Sequence, residues 1–387
     1  MSVLTDYRVK AKSSVEVVSQ SHAREASYSV MLLVNIISTT SNAILKIVIS
    51  GYKRGLIDLM KMNSVIDVHA HIVFPESMGK AGSYGPEMGV DSNGVGFFRF
   101  GGYSMKPMDY RNTVFMDLSM RIDGMAQHGI DLQLLSPNPL TLFHHIGAEE
   151  ATMFCQVQND AMAKLVCQYP DKFLGAAALP MQDIGASIKE AERAIKQLGL
   201  SAIYIGTNLP YDLDDPCLDE FYTAIIALNV PLFFHPASTG GAFGPDDARL
   251  ARFDMTLILG YAYEETIAVA QLVLGGVLDR HPKLDICLSH GAGVTAYLIP
   301  KFEGWAKVRD WAPDSVQELG FTHVLKKLWF DAHVSGTVQK KLLIDSVGAD
   351  RCVYGTNFGG WDTPAKADEF ARSLTVNTER LLRLNRQ

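Results

Sequence analysis

VIDVHAHIV, residues 65–73, is the stretch on which the reading of the fold turns. It opens as a short apolar, β-branched run without polar alternation, the pattern of a strand covered on both faces. Near its end stand His69 and His71, with Asp67 ahead of them. Side chains alternate along a strand, so residues two apart leave from one face. The two imidazoles therefore converge on one point, as a pair of metal ligands does. H-x-H alone is a frequent chance pattern; its place at the end of an apolar strand gives it weight.

The same rhythm repeats downstream. Apolar runs recur at 130–136 (IDLQLLS), 173–180 (FLGAAALP), 201–206 (SAIYIG) and 230–235 (VPLFFH), then at 284–290 (LDICLSH), 327–333 (KLWFDAH) and 351–357 (RCVYGTN). Amphipathic helical patterns separate most of them, at 149–169, 184–199, 217–229, 265–280 and 337–348. Eight strands alternating with helices predict an α/β fold, a (β/α)₈ TIM-like barrel, with an open doubly wound sheet as the alternative. No G-x-G-x-x-G opens a helix after a strand, so the usual sign of a dinucleotide site is missing. In a barrel all strands open on one face, where His235, His290 and Asn357, each closing a run, would meet the first pair.

Residues 1–61 read as an N-terminal extension, and 62–387 as the barrel unit. The apolar run 29–49 is broken by Ser, Thr, Asn and Lys46, which makes it a poor membrane span, and it lies too far in for a secretory signal. A net charge of −7 argues against nucleic acid or an anionic membrane as partner. The five cysteines, Cys155, Cys167, Cys217, Cys287 and Cys352, form no C-x-x-C pair and suit reduced thiols in the cytoplasm.

One connection is out of proportion. Residues 74–129 follow the first strand, beginning with a glycine-rich segment that carries Arg99, Tyr103, Lys106 and Arg111 among aromatics. A long irregular loop is usually functional or disordered. At the active face of a barrel those residues would suit an anionic ring, with Phe98, Tyr103 and Phe234 packing it. The alternative is a flexible loop with solvated charges.

Taken together, IDVHAHI, LSPNP, the segment QNDAMAKLVCQYPDKFLGAAALPMQD, FFHPA, the stretch from EETIAVAQ to CLSHGAG, and RCVYGTNFGG resemble the amidohydrolase superfamily. The branch is that of aminocarboxymuconate-semialdehyde decarboxylase and related aromatic-acid decarboxylases, and the likeness runs from about Ile66 to at least Asp362. The resemblance implies that His69, His71 and His235 bind a divalent metal, zinc foremost and manganese as the alternative, and that His290 is catalytic. It also implies a homodimer. The family's fourth ligand is an aspartate in G-T-D; here Gly355-Thr356-Asn357 stands instead. An amide oxygen is a weaker ligand than a carboxylate and cannot act as a base. Asn357 is thus open to three readings: a ligand in an active variant, an Asp→Asn replacement that stalls turnover, or a site of reduced metal affinity.

Three functions follow from this pattern. The first is non-oxidative decarboxylation of a hydroxylated aromatic or related unsaturated acid, with His290 transferring the proton. The second is metal-dependent hydrolysis or hydration. The third is a ligand-binding barrel without turnover. His144, His145, Asp331, His333 and Glu265 are further strand-end or helix-start residues, with structural roles as the alternative.

Overall fold

A computed structural model describes residues 64–105, 109–237, 247–360 and 366–384, all within the compact unit Asn63–Gln387. The extension 1–61, its apolar run and Lys106 lie outside the described residues. Eight parallel strands form one sheet: β1 (Ile66–Ile72), then, after three strands of a separate small sheet, β5 (Leu132–Pro137), β6 (Phe173–Ala178), β7 (Ala202–Gly206), β8 (Leu232–His235), β9 (Ile286–Leu288), β10 (Trp329–Asp331) and β11 (Cys352–Val353). Each strand pairs with the next in sequence. The ring closes beyond β11, where Val68 N–H donates to the Tyr354 carbonyl at 2.9 Å and His71 N–H to that of Phe358 at 2.7 Å. This is the (β/α)₈ barrel expected from the eight runs; seven strands fall inside their runs and β5 passes its run by one residue, Pro137.

The helices are α1 (Leu118–His128), α2 (Ala148–Gln168), α3 (Ile184–Lys196), α4 (Asp219–Leu228), α5 (Tyr261–Leu274), α6 (Val277–Arg280) and α7 (Thr295–Ala306), followed by α8 (Asp314–Leu319), α9 (Phe321–Leu325), α10 (Thr337–Val347), α11 (Glu369–Ser373) and α12 (Thr375–Leu382). Asp117 and Asp183 cap α1 and α3 by accepting from the N–H groups of Met120 and Ala186, the usual service of an aspartate at that position. The single helix expected over 265–280 is two, because Gly276 adopts a left-handed φ of 72° between α5 and α6. Thr256–Leu274 is long and apolar enough to cross a membrane. Within it Glu265, Ala268, Val269, Leu272 and Val273 are buried, as they are in a helix packed on a sheet.

Two layers of core follow from strand alternation. Ile66, Val68, Leu134, Tyr204, Phe233 and Trp329 belong to one cluster inside the barrel. Ala70, Ile72, Leu135, Ile203 and Phe234 belong to the other, between sheet and helices.

The long connection after β1 is not the irregular loop anticipated. It folds into an antiparallel sheet of β2 (Glu87–Val90), β3 (Gly96–Phe100) and β4 (Tyr103–Ser104). Phe98, Phe100, Met105, Tyr110 and Phe115 turn inward to a third apolar cluster shared with Phe143 and Phe154. Burying large aromatic side chains is what orders a glycine-rich segment that would otherwise remain mobile.

Candidate metal centre

His69 and His71 both face the barrel interior, but not through plain alternation from the start of the strand. The pairing of β1 with β5 shifts register between Asp67 and Ala70. Ahead of this bulge Ile66 and Val68 point inward; after it Ala70 and Ile72 point outward. The extra residue re-aims the end of the strand, a common device beside active sites. From β8 comes His235, buried like the other two.

The three ring nitrogens converge. One ligand atom from each histidine lies within 4.8 Å of the others. The Nε2 atoms of His69 and His71 stand 3.0 Å apart. Each Nδ1 is occupied: that of His69 by Asp331 Oδ2 at 2.6 Å, that of His71 by Ser136 Oγ at 3.0 Å, and that of His235 by the Pro236 carbonyl at 2.8 Å. An imidazole that donates through Nδ1 presents the Nε2 lone pair to a metal. His235 Nε2 is buried and has no hydrogen-bond partner among the described residues. Burial holds all three rings neutral, His69 down to about 4 and the others well below their ordinary value. Neutral, buried, pre-oriented nitrogens fit a divalent cation.

Asp67 anchors this arrangement from behind. Its carboxylate accepts from His69 N–H at 3.1 Å, Gln133 Nε2 at 3.0 Å and Thr356 Oγ1 at 2.7 Å. Gln133 in turn accepts from the fully buried Arg121 at 3.0 Å, and Arg121 also donates to the His71 carbonyl. Desolvation raises the Asp67 carboxyl to about 6 against the pull of these hydrogen bonds. The network ties β1, β5 and the turn after β11 together.

His290 follows β9 in a short turn with a left-handed φ of 46°, and Asn357 adopts φ 54° after β11. Non-glycine residues held there concentrate at functional sites. The His290 ring lies 4.8 Å from that of His69 and 4.9 Å from that of His235. Behind it, Glu265 on α5 is fully buried and takes His290 Nδ1 at 2.7 Å, while Ser289 Oγ donates to the same carboxylate oxygen. Asn357 lines a cavity with His71, His235, Asn138, Tyr261 and the apolar Met105, Phe115 and Leu140. A larger open groove of about 760 Å³ lies on the outer face of α5 and α6, where none of these histidines reaches it.

The expected substrate contacts fare differently. Arg99 is corrected: alternation along β3 buries Phe98 and Phe100 and turns Arg99 outward, where it pairs with Glu87 and lies over Phe97. Arg111 is exposed beside Asp109, in a turn on the surface. Phe234 is also corrected, since its neighbours Phe233 and His235 face the interior and Phe234 therefore packs into the helix layer. Tyr103 is half-buried; desolvation first, then nearby Asp254, raises its phenol, and it neighbours the cavity residue Tyr261. His144 is a structural histidine whose Nε2 accepts from Gly206 N–H at 3.0 Å. His333 comes within 5.7 Å of the His69 and His290 rings. Ser136, Asp67, Arg121 and Tyr261 were not singled out as site residues from the sequence; only the Asp67 position beside H-x-H and the LSPNP segment carried a signal.

The family model described as amidohydrolase matches residues 66–380. The chain belongs to the amidohydrolase family. It is 29% identical over 243 residues to 2-amino-3-carboxymuconate-6-semialdehyde decarboxylase of Dictyostelium discoideum, spanning 62% of this chain and 66% of that one. It is 24% identical over 338 residues to gamma-resorcylate decarboxylase of Rhizobium radiobacter, across 83% of this amidohydrolase and 95% of the relative. Among solved structures, dihydroxybenzoic acid decarboxylase from Polaromonas sp. JS666, crystallised with manganese and the inhibitor 2-nitroresorcinol, superposes with a TM-score of 0.64 at 22% identity. That comparison covers 84% of this chain and 98% of the other, and shows a shared fold.

Proposed function

We propose that this amidohydrolase is a metal-dependent non-oxidative decarboxylase of a hydroxylated aromatic or related unsaturated carboxylic acid. The observation that carries the reading is the convergence of three neutral imidazoles, each anchored through Nδ1, beside a fourth histidine oriented by a buried carboxylate. His69, His71 and His235 would hold the cation, with the Asn357 amide oxygen beside them. When bound, such a cation supplies Lewis-acid polarisation of a substrate oxygen. Three imidazoles and an amide favour zinc over manganese, which prefers carboxylate oxygen.

The chain's own residues account for the rest. The apolar wall of Met105, Phe115 and Leu140 packs the ring and excludes water. As the bond from ring carbon to carboxylate breaks, its electron pair stays on that carbon and CO₂ leaves. His290, held through Nδ1 by Glu265, delivers a proton to the same carbon. Asn357 has no proton affinity of its own, which places the acid–base work on His290.

We further infer a cytoplasmic homodimer. All five cysteines are free thiols, and Tyr263, Ile267, Tyr297, Trp305 and Trp311 leave large apolar groups exposed on α5, on α7 and after it, a composition that suits a subunit contact. Sedimentation at micromolar concentration checks that point. The function itself is tested by metal analysis of the purified protein, followed by CO₂ release from a panel of hydroxybenzoic acids with zinc or manganese. Turnover abolished in His290→Ala is the expected outcome. Water addition or ring opening without CO₂, or full turnover in that variant, sinks the proposal.

A further inference from the structure

The residue at 357 leaves a charge question that Asp331 answers. A divalent cation among three neutral imidazoles and an amide carries its full double charge in a buried site. A carboxylate within reach relieves it before any substrate arrives, and β11 ends without one. Asp331, at the end of β10, is 2% exposed. Its Oδ2 meets His69 Nδ1 at 2.6 Å, with side-chain exposures of 3% and 4% for the pair, and its Oδ1 accepts His333 N–H at 3.0 Å. Ser136 and the Pro236 carbonyl, which hold the other two rings, are neutral. Among the three rings, only that of His69 is backed by a carboxylate in the described residues.

The sequence also keeps the space for this contact. At Gly355 an added Cβ would stand 2.8 Å from His69 Cβ and 3.2 Å from Asp331 Cβ and Cγ, closer than side chains tolerate without displacement. A larger residue there would wedge the pair apart.

We propose that Asp331, acting through His69, supplies to the metal centre the negative charge that Asn357 does not. Asp331 is a positioning residue in this scheme: it fixes the His69 tautomer with Nε2 open and makes that ring the most electron-rich of the three ligands. Carboxylate partners behind ligating histidines typically strengthen metal affinity 10- to 100-fold. The proposal rests on the metal-site reading given above.

The test is a double-mutant cycle of Asp331→Asn and Asn357→Asp, read as the zinc dissociation constant in competition with a chromophoric chelator. Melting of the metal-free protein serves as the control for folding. Asp331→Asn keeps an acceptor for His333 N–H but offers an N–H to His69 Nδ1, so zinc binding weakens by ~10- to 100-fold. In the Asn357→Asp background, where a carboxylate reaches the metal directly, that loss shrinks by at least ~5-fold. Equal losses in both backgrounds, or no loss in a folded protein, overturn the proposal. If Asp331→Asn does not fold, ¹⁵N-histidine spectra of the zinc-loaded parent protein decide it: the proposal requires His69 protonated on Nδ1 with a far-downfield, slowly exchanging proton. A chain that binds no metal in any background refutes the metal-site reading; metal binding indifferent to position 331 refutes this one alone.

Discussion

Glu265→Gln is the sharpest perturbation of the proposed chemistry, because it changes one oxygen for an amide nitrogen at a fully buried position. In the parent chain Glu265 Oε1 lies 2.7 Å from His290 Nδ1 and also receives the Ser289 hydroxyl. That arrangement keeps a hydrogen on Nδ1 and sets Nε2 on the far side of a ring that lies 4.8 Å from that of His69 and 4.9 Å from that of His235. The glutamine either turns its amide nitrogen to both Ser289 Oγ and His290 Nδ1, which drives the ring to the opposite tautomer, or keeps an oxygen there without the negative charge. Either way His290 delivers its proton less readily, because the carboxylate that stabilises its charged form is gone. General acid–base contributions of this kind amount to about 10²–10⁴ in rate, or about 3 to 5 kcal/mol in barrier. We therefore expect kcat for CO₂ release to fall in that range while KM stays within about threefold, because Glu265 does not line the cavity. Folding should not suffer: Glu265 Oε2 is buried without a partner among the described residues, so an uncharged isostere removes a desolvation cost. Steady-state kinetics on the best acid of the panel, together with thermal melts, provide the assay. A stable variant whose kcat remains within about threefold of the parent would falsify the orienting role of Glu265.

Removing the metal with a chelator should lower the melting temperature, and zinc at about 100-fold its dissociation constant should restore some 2.7 kcal/mol; melts unchanged by either treatment would count against a tight site. Arg99→Ala and Arg111→Ala should leave kcat/KM within about twofold, since both side chains are exposed; a tenfold rise in KM for either would restore it as a substrate contact. Phe234→Leu should cost about 1 kcal/mol in denaturant unfolding with KM unaltered, whereas a shift in KM would contradict its place in the helix layer. His144→Gln tests acid stability. Burial lowers His144 to about 3 from 6.5, so between those values the unfolded chain holds a proton that the native chain lacks, and stability falls as pH drops. From pH 6.5 to 5 the parent should lose about 2 kcal/mol more than the variant; equal losses would refute the assignment.

The barrel was legible because its strands are buried on both faces, and unbroken apolar runs such as FLGAAA (173–178) record that burial directly. The helix break at Gly276 and the sheet at 87–104 were less so. In the second case the decisive force is packing of Phe98, Phe100 and Phe115 against Phe143 and Phe154, contacts between segments that no local pattern announces. Arg99 shows the same limit from the other side. Its charge and its place in the chain suggested a substrate contact, while the alternation of its own strand, visible only once that strand is known to exist, sends it to solvent.

Parity along β8 is itself a signal of which side chains face the barrel interior. If His235 faces the barrel interior, Phe234 cannot, and FFHP already contained that conclusion. The reverse holds at β1. Strict alternation from Ile66 would have put His69 on the outer face, and only the shift in register between Asp67 and Ala70 brings it in. That bulge leaves no mark in the composition of the strand. Its stabilisation comes from outside: Asp67 bound to Gln133 and Thr356, Arg121 clasping the His71 carbonyl, Asp331 on the His69 ring. A ligand pair read from two histidines thus depends on four polar residues supplied by α1, by two other strands and by the turn beyond β11. Substitutions among those four should weaken metal binding although none of them is a ligand. Asp331 is the most direct of the four, because among them it alone bonds a ligand ring through its side chain, as Ser136 does for His71.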